Sequence, residues 1–159
     1  MHLFGVEKVV FCPSIASTSS PSRPEITAGV VLVNPGVYQH EGLQEMDGFE
    51  AASTFIEVPD ASTDFDGKIP GRKQAGEPML RFYESDSGSP VRTALAEGTS
   101  GYVIRMPYGD VATKRCEVYP VTIASTNTSQ LTSGNDAATF AAAMAITAKP
   151  EKNAVIPAP

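Results

Sequence analysis

MLRFYESDSGSPVRTALAEGTSGYVIRM, residues 79–106, changes its structural period twice. Met79 to Glu84 sets Leu80 and Phe82 against Arg81 and Tyr83, the period-two alternation of a strand with one buried face. Ser89 to Glu97 then takes helical spacing. Ser89 can cap the free amides of a first turn, Pro90 fits the first helical position, Val91, Ala94 and Leu95 share a face, and Gly98 can close the helix in the left-handed region. Tyr102 to Met106 returns to apolar strand sequence ahead of the turn Pro107-Tyr108-Gly109-Asp110. The helix is short. The 13 Gly and 13 Pro also favour many short elements joined by turns over a helical bundle.

Toward the N-terminus, Phe49 to Val58 alternates, with Phe49, Ala51, Ser53 and Phe55 on one face and Glu50, Ala52, Thr54 and Ile56 on the other, so a long strand is expected. It lies within a run from Glu41 to Asp66 that holds Glu41, Glu45, Asp47, Glu50, Glu57, Asp60, Asp64 and Asp66 and no Lys or Arg. Asp60 to Gly76 mixes charge with Pro70, Gly67, Gly71 and Gly76 and reads as a loop. Connections longer than about 12 to 15 residues are uncommon and usually have a task. Further out, Ile26 to Val33 reads as a strand before the turn Asn34-Pro35-Gly36, Ser14 to Pro24 as an exposed mobile loop, and Val6 to Cys12 as a strand stopped by Pro13.

Toward the C-terminus, Arg115 to Ile123 reads as a strand whose Pro120 calls for an edge or a bulge. Thr126 to Asp136 is polar loop. Ala137 to Thr147 stays open: Phe140, Ala143, Met144 and Thr147 fit a helix, while Phe140, Ala142, Met144 and Ile146 fit a strand. The expected organisation is a single domain over residues 1–148, with mobile loop 14–24 and long loop 60–76, followed by an extended tail over 149–159 that contains Pro150, Pro157 and Pro159.

Charge narrows the function. The 159 residues carry 12 Lys and Arg against 18 Asp and Glu, a net charge of -6, which opposes tight binding to nucleic-acid phosphates. Cys12 and Cys116 form no CxxC and fit two free thiols; Glu7 and Lys8 interrupt the first apolar run, so no secretory signal is expected. No run of 18 apolar residues is present to span a membrane. The two histidines, His2 and His40, do not support a hydrolytic triad, and no phosphate-binding glycine motif or nucleophile elbow occurs. Asp64-Phe65-Asp66-Gly67 opens like a calcium loop, but Lys68 and Ala75 stand where ligands five and twelve belong. His40, Glu41, Glu45 and Asp47 have no spacing that fixes a metal geometry. Asn127-Thr128-Ser129 is a glycosylation sequon that a chain without an export signal does not use. No catalytic residue, cofactor or metal is expected.

The order of these features resembles the major tail (tail tube) proteins of long-tailed bacteriophages. The likeness is carried by the acidic strand Gly48 to Asp60, the loop through Ile69-Pro70-Gly71-Arg72, the strand Met79 to Tyr83, the helix Ser89 to Glu97, Gly101 to Met106, and Asn135-Asp136-Ala137-Ala138-Thr139-Phe140 running into Ala145-Ile146-Thr147. It implies a mainly β subunit, a β-sandwich with one short flanking helix. Six subunits would form a ring with a shared inner β-barrel, and the rings would stack into a tube in the virion tail, assembled in the host cytoplasm. It favours a strand at residues 137–147. The implied partners are further copies of the chain, tape measure, tail terminator and baseplate or tip proteins, and genomic DNA that passes without tight binding.

A lone barrel of about eight strands is filled by its own side chains, whereas about 24 strands at ~4.8 Å spacing and ~40° tilt enclose roughly 45 to 50 Å, room for a duplex. On this reading Glu45, Asp47, Glu50 and Glu57 are candidate lumen acids, and Asp60, Asp64, Asp66, Lys68, Arg72 and Lys73 form a candidate inter-subunit loop. The alternatives are another virion structural protein, such as a tail terminator or capsid decoration protein, or a carbohydrate-binding β-sandwich module. The last is disfavoured by the lack of Trp and by only five Tyr.

Overall fold

The computed structural model describes residues 6–37, 39, 41–59, 62, 64–85, 90–128 and 137–159. Strand makes up 51% of them and helix 8%, a mainly β fold built on a curled sheet. The elements are β1 (Lys8–Cys12), α1 (Arg23–Ala28), β2 (Val30–Val33), β3 (Leu43–Asp47), β4 (Ala51–Val58), β5 (Gly67–Ala75), β6 (Met79–Tyr83), α2 (Pro90–Ala94), β7 (Ser100–Met106), β8 (Arg115–Thr128), β9 (Thr139–Ile146) and β10 (Glu151–Val155). The large sheet runs in the order β2-β1-β7-β8-β9-β6-β3, with β10 added on β8. All of its pairings are antiparallel.

Alternation along the central strands divides the apolar residues between two cores. Val9, Phe11, Val103, Tyr119, Val121 and Ile123 face one, with Leu80, Phe82, Phe140 and Met144 from the far strands and Val91 and Leu95 from the α2 segment. Val10, Cys12, Ile104, Met106, Cys116 and Val118 face the other, closed by Ile26 of α1 and by Ala154 and Ile156. Cys12 and Cys116 are free and buried together there, as expected of unpaired thiols. Burial pushes both up to about 11.

Pro120 lies in the interior of β8, not at an edge. On one side β8 pairs with β7 from Glu117 to Thr122, Tyr102 facing Pro120. On the other it pairs with β10 as far as Val118 and with β9 from Val121 onward. The Pro120 carbonyl points to that second side, where it accepts the Thr147 N–H at 3.0 Å. The missing proline N–H therefore falls where β8 changes partner and breaks no ladder bond.

Several expectations are corrected. Residues 23–28, expected as the end of a mobile loop and the start of a strand, form α1. Pro24 suits its first turn, and the Glu25 carboxylate ties the preceding segment down by accepting the N–H groups of Ser22 at 2.7 Å and Ala16 at 2.8 Å. The described residues thus hold two short helices. The helix expected over 89–97 covers only Pro90–Ala94: Gly98 N–H turns to the Ile123 carbonyl, and the Leu95 carbonyl is taken by Thr126 Oγ1 at 2.7 Å. The Ser89 cap lies outside the described residues. Residues 139–146 are a strand, and the tail supplies β10 to the main sheet. The loop expected over 60–76 is largely strand β5.

Candidate functional site

β4 and β5 form a separate two-stranded sheet. Its register runs from Ala51 opposite Ala75 to Val58 opposite Gly67, with an irregularity between Ser53 and Phe55. The reading of 67–75 as loop failed on Pro70 and Gly71. Both are tolerated because the second edge of β5 has no partner strand among the described residues, and because Gly71 lets β5 close on Thr54, whose Oγ1 a Cβ at Gly71 would meet at 2.7 Å.

At the neck of this hairpin two backbone segments cross in close contact. Gly48 holds a left-handed φ of 74°, and a Cβ there would stand 2.2 Å from the Glu77 carbonyl oxygen. A Cβ at Gly76 would stand 2.5 Å from the Gly48 carbonyl oxygen. Glycine is required at both positions. The Asp47 carboxylate accepts the Gly48 N–H at 2.8 Å, and the Glu50 carbonyl accepts the Gly76 N–H at 2.9 Å.

Beyond the neck the hairpin is solvent-facing. Phe55 is 69% exposed and Phe65 75%, and Ile56, Val58 and Ile69 are also exposed. Pairing and alternation set Ile56, Val58 and Ile69 on one face, and Phe55, Pro70, Glu57 and Lys68 on the other. On the second face Lys68 Nζ lies 3.2 Å from Glu57 Oε1. Four large apolar side chains in water on two strands, with Phe65 at the tip between them, are a surface suited to being covered. Sequence reasoning missed them because it weighed this region by its charges, although Phe55-Ile56 and Ile69 were visible as apolar residues.

The candidate acids are dispersed. Glu45 lies on β3 with Arg81 Nε 4.0 Å from its carboxylate, Asp47 and Glu50 flank the neck, and Glu57 lies on the hairpin. Asp64 and Asp66 occupy the exposed tip region between β4 and β5, while Lys68, Arg72 and Lys73 belong to β5. Asp60 lies outside the described residues, as does His40 of the weighed metal cluster. Glu41 of that cluster is buried and accepts the Val91 N–H at 2.9 Å. Among the described residues no helix is long and apolar enough to cross a membrane.

A family model described as phage tail tube protein matches residues 4–159. The chain belongs to the phage tail tube protein family. Membership makes it a structural tail component. Two solved structures of tail-tube kind share the fold. One is the sheath-tube complex of an extracellular contractile injection system in the extended state, at TM-score 0.61 and 13% identity, covering 98% of this chain and 93% of that one. The other is the sheath/tube terminator of the same system, at TM-score 0.60 and 12% identity, covering 93% of each chain. No curated protein matches by sequence.

Proposed function

We propose that this chain is the subunit of a phage tail tube that assembles as hexameric rings, stacks through its hairpin, and forms a conduit for DNA without enzymatic activity. The observation that carries the reading is the hairpin. A two-stranded sheet is marginal by itself in water, and this one presents Phe55, Ile56, Val58, Phe65 and Ile69 to solvent, so a neighbouring copy has both reason and surface to cover it. The net charge of -6 suits a wall that lets phosphates slide, with Glu45, Asp47, Glu50 and Glu57 as its candidate acids. The strands Asp64 to Lys73 reach between subunits, and tape measure, terminator and baseplate proteins meet the tube at its lumen and ends.

Negative-stain microscopy of the purified protein tests this. Hollow tubes of repeating rings are expected, and a strictly monomeric species at millimolar concentration, with no tubes in particles, overturns it. A second reading, a terminator that caps the tube, draws on the near-equal likeness to the sheath/tube terminator structure. Single rings that never stack would decide for it.

A further inference from the structure

At the base of the hairpin, beside the C-terminal strand, Ala51, Lys73, Lys149, Pro150, Glu151, Lys152 and Asn153 line a cleft of about 210 Å³. Three of its walls are lysines, in a chain whose net charge is -6. None of the three makes an ion pair with a described residue. The single carboxylate of the cleft, Glu151, turns to its own strand and accepts the Asn153 N–H at 2.9 Å. The cleft is therefore a concentration of positive charge that no described acid of the subunit pairs.

The opposite chemistry stands at the other end of the same hairpin. Asp64 and Asp66 are exposed at its tip and make no ion pair with a described residue, and the exposed Phe65 lies between them. Strand β4 has 8 residues, so base and tip are about 25 Å apart at ~3.3 Å per residue. A tip cannot fold back into its own base across that span of paired strands.

We propose that the Lys73–Lys149–Lys152 cleft of one copy receives the Asp64-Phe65-Asp66 tip of a second copy. The proposal rests on the assembly reading above and names the receiving surface. Because donor and acceptor differ and lie at opposite ends of one element, the contact is heterologous. It repeats by translation along the hairpin and leaves a free tip and a free cleft at the ends of every stack, the property that growth requires. The lysine and aspartate charges guide approach and register, and Phe65 supplies the apolar anchor.

The test is a charge swap. A chain carrying Lys149→Glu and Lys152→Glu, and another carrying Asp64→Lys and Asp66→Lys, should each remain folded by circular dichroism and each fail to elongate in micrographs. Mixed in equal amounts they should form tubes again, since each tip then meets a cleft of opposite sign. A chain with Asp66→Cys and Lys152→Cys should give disulfide-linked ladders when assembled protein is oxidised, whereas the native thiols are buried. Elongation by either reversed chain alone, or a mixture that stays short, overturns the inference. So does tube-bound DNA that Lys149→Glu and Lys152→Glu release without affecting elongation, which would make the cleft a phosphate site. If the unmodified chain forms neither tubes nor rings, the assembly reading falls first; if it forms tubes and the cysteine pair gives no ladder, only this contact falls.

Discussion

Asp110 holds three parts of the chain at one carboxylate. Lys8 Nζ lies 3.1 Å from one of its oxygens and Arg23 Nη1 2.6 Å from the other, while Arg23 Nη2 donates to the Pro157 carbonyl at 2.8 Å. β1, α1 and the C-terminal segment thus meet at the β7–β8 turn. Partial burial raises the Asp110 pKa, but the hydrogen bonds and charges of Arg23 and Lys8 outweigh it and hold the carboxyl below its ordinary value of 3.8. A carboxylate depressed in the folded state stabilises the fold above the unfolded pKa, and that contribution is lost as pH falls through the folded one. Stability should therefore decline below about pH 4, and Asp110→Asn should flatten that decline while lowering stability at pH 7. Urea titrations of both proteins between pH 7 and pH 2.5 measure it, and parallel curves would contradict it. Glu41 is the other critical carboxylate, 3% exposed, with Oε2 on the Val91 N–H and Oε1 without a partner. Glu41→Ala should cost about 1 to 3 kcal/mol, and Glu41→Gln, which keeps an acceptor, less. Equal denaturation midpoints for all three proteins would remove the capping role. Neither carboxylate was legible in the sequence, because each acts on residues far away in the chain.

At the scale of elements, α2 shows why a short helix persists. Arg92 pairs with Glu84 at the end of β6, donates to Thr128 Oγ1 at 2.9 Å, and lies 5.4 Å from the centroid of the Phe140 ring. The helix is held by its neighbours more than by its own five residues. The strands of the body were readable in two ways: Met79 to Tyr83 alternates because one face is buried, while Val6 to Cys12 and Tyr102 to Met106 are apolar runs buried on both faces. β3 was missed because its sequence, Leu43-Gln44-Glu45-Met46-Asp47, lies at the sheet's edge with three exposed polar side chains. The hairpin was half read, β4 from its alternation and β5 obscured by Pro70. Phe55→Ser, Ile56→Thr and Ile69→Thr together should leave the subunit's thermal midpoint within a few degrees, since these side chains are exposed, while abolishing tube elongation. Calorimetry beside microscopy separates the two effects, and tubes of normal length would return these residues to ordinary surface.

For the whole molecule, charge reversal asks which surface faces the passing polyanion. If Glu45, Asp47, Glu50 and Glu57 face the lumen, converting all four to Lys makes it cationic, and assembled tubes should retain DNA at low salt and release it as salt rises. Native tubes should retain none at either. Equal retention by the two would place these acids on the outer wall. Glu45 and Glu57 already lie beside Arg81 and Lys68, so Asp47 and Glu50 at the neck offer charge that no described Lys or Arg pairs. The sequence displayed the acidic run but not these neighbours, which come from β5 and β6. It also could not reveal the basic cleft, in which Lys73 meets the distant Lys149 and Lys152 only because the C-terminal strand joins β8 beside the hairpin's base.

The glycine crossing at the neck also has a mechanical meaning. An arm of about 25 Å anchored at one end is a lever, and a tilt of ~10° at its root displaces the far end by about 4 Å, close to one strand spacing. If the subunits stack as proposed, compliance of the filament is concentrated at Gly48 and Gly76, where an added Cβ would meet backbone carbonyl oxygens at 2.2 and 2.5 Å. Gly48→Ala adds a Cβ against the Glu77 carbonyl in a left-handed conformation and should reset the arm's angle. The expected result is a changed helical twist between successive rings in averaged micrographs; an unaltered twist would place the elastic joint elsewhere. Variation in tube curvature would then be governed by two glycines at the root of the arm rather than by the side chains at its tip.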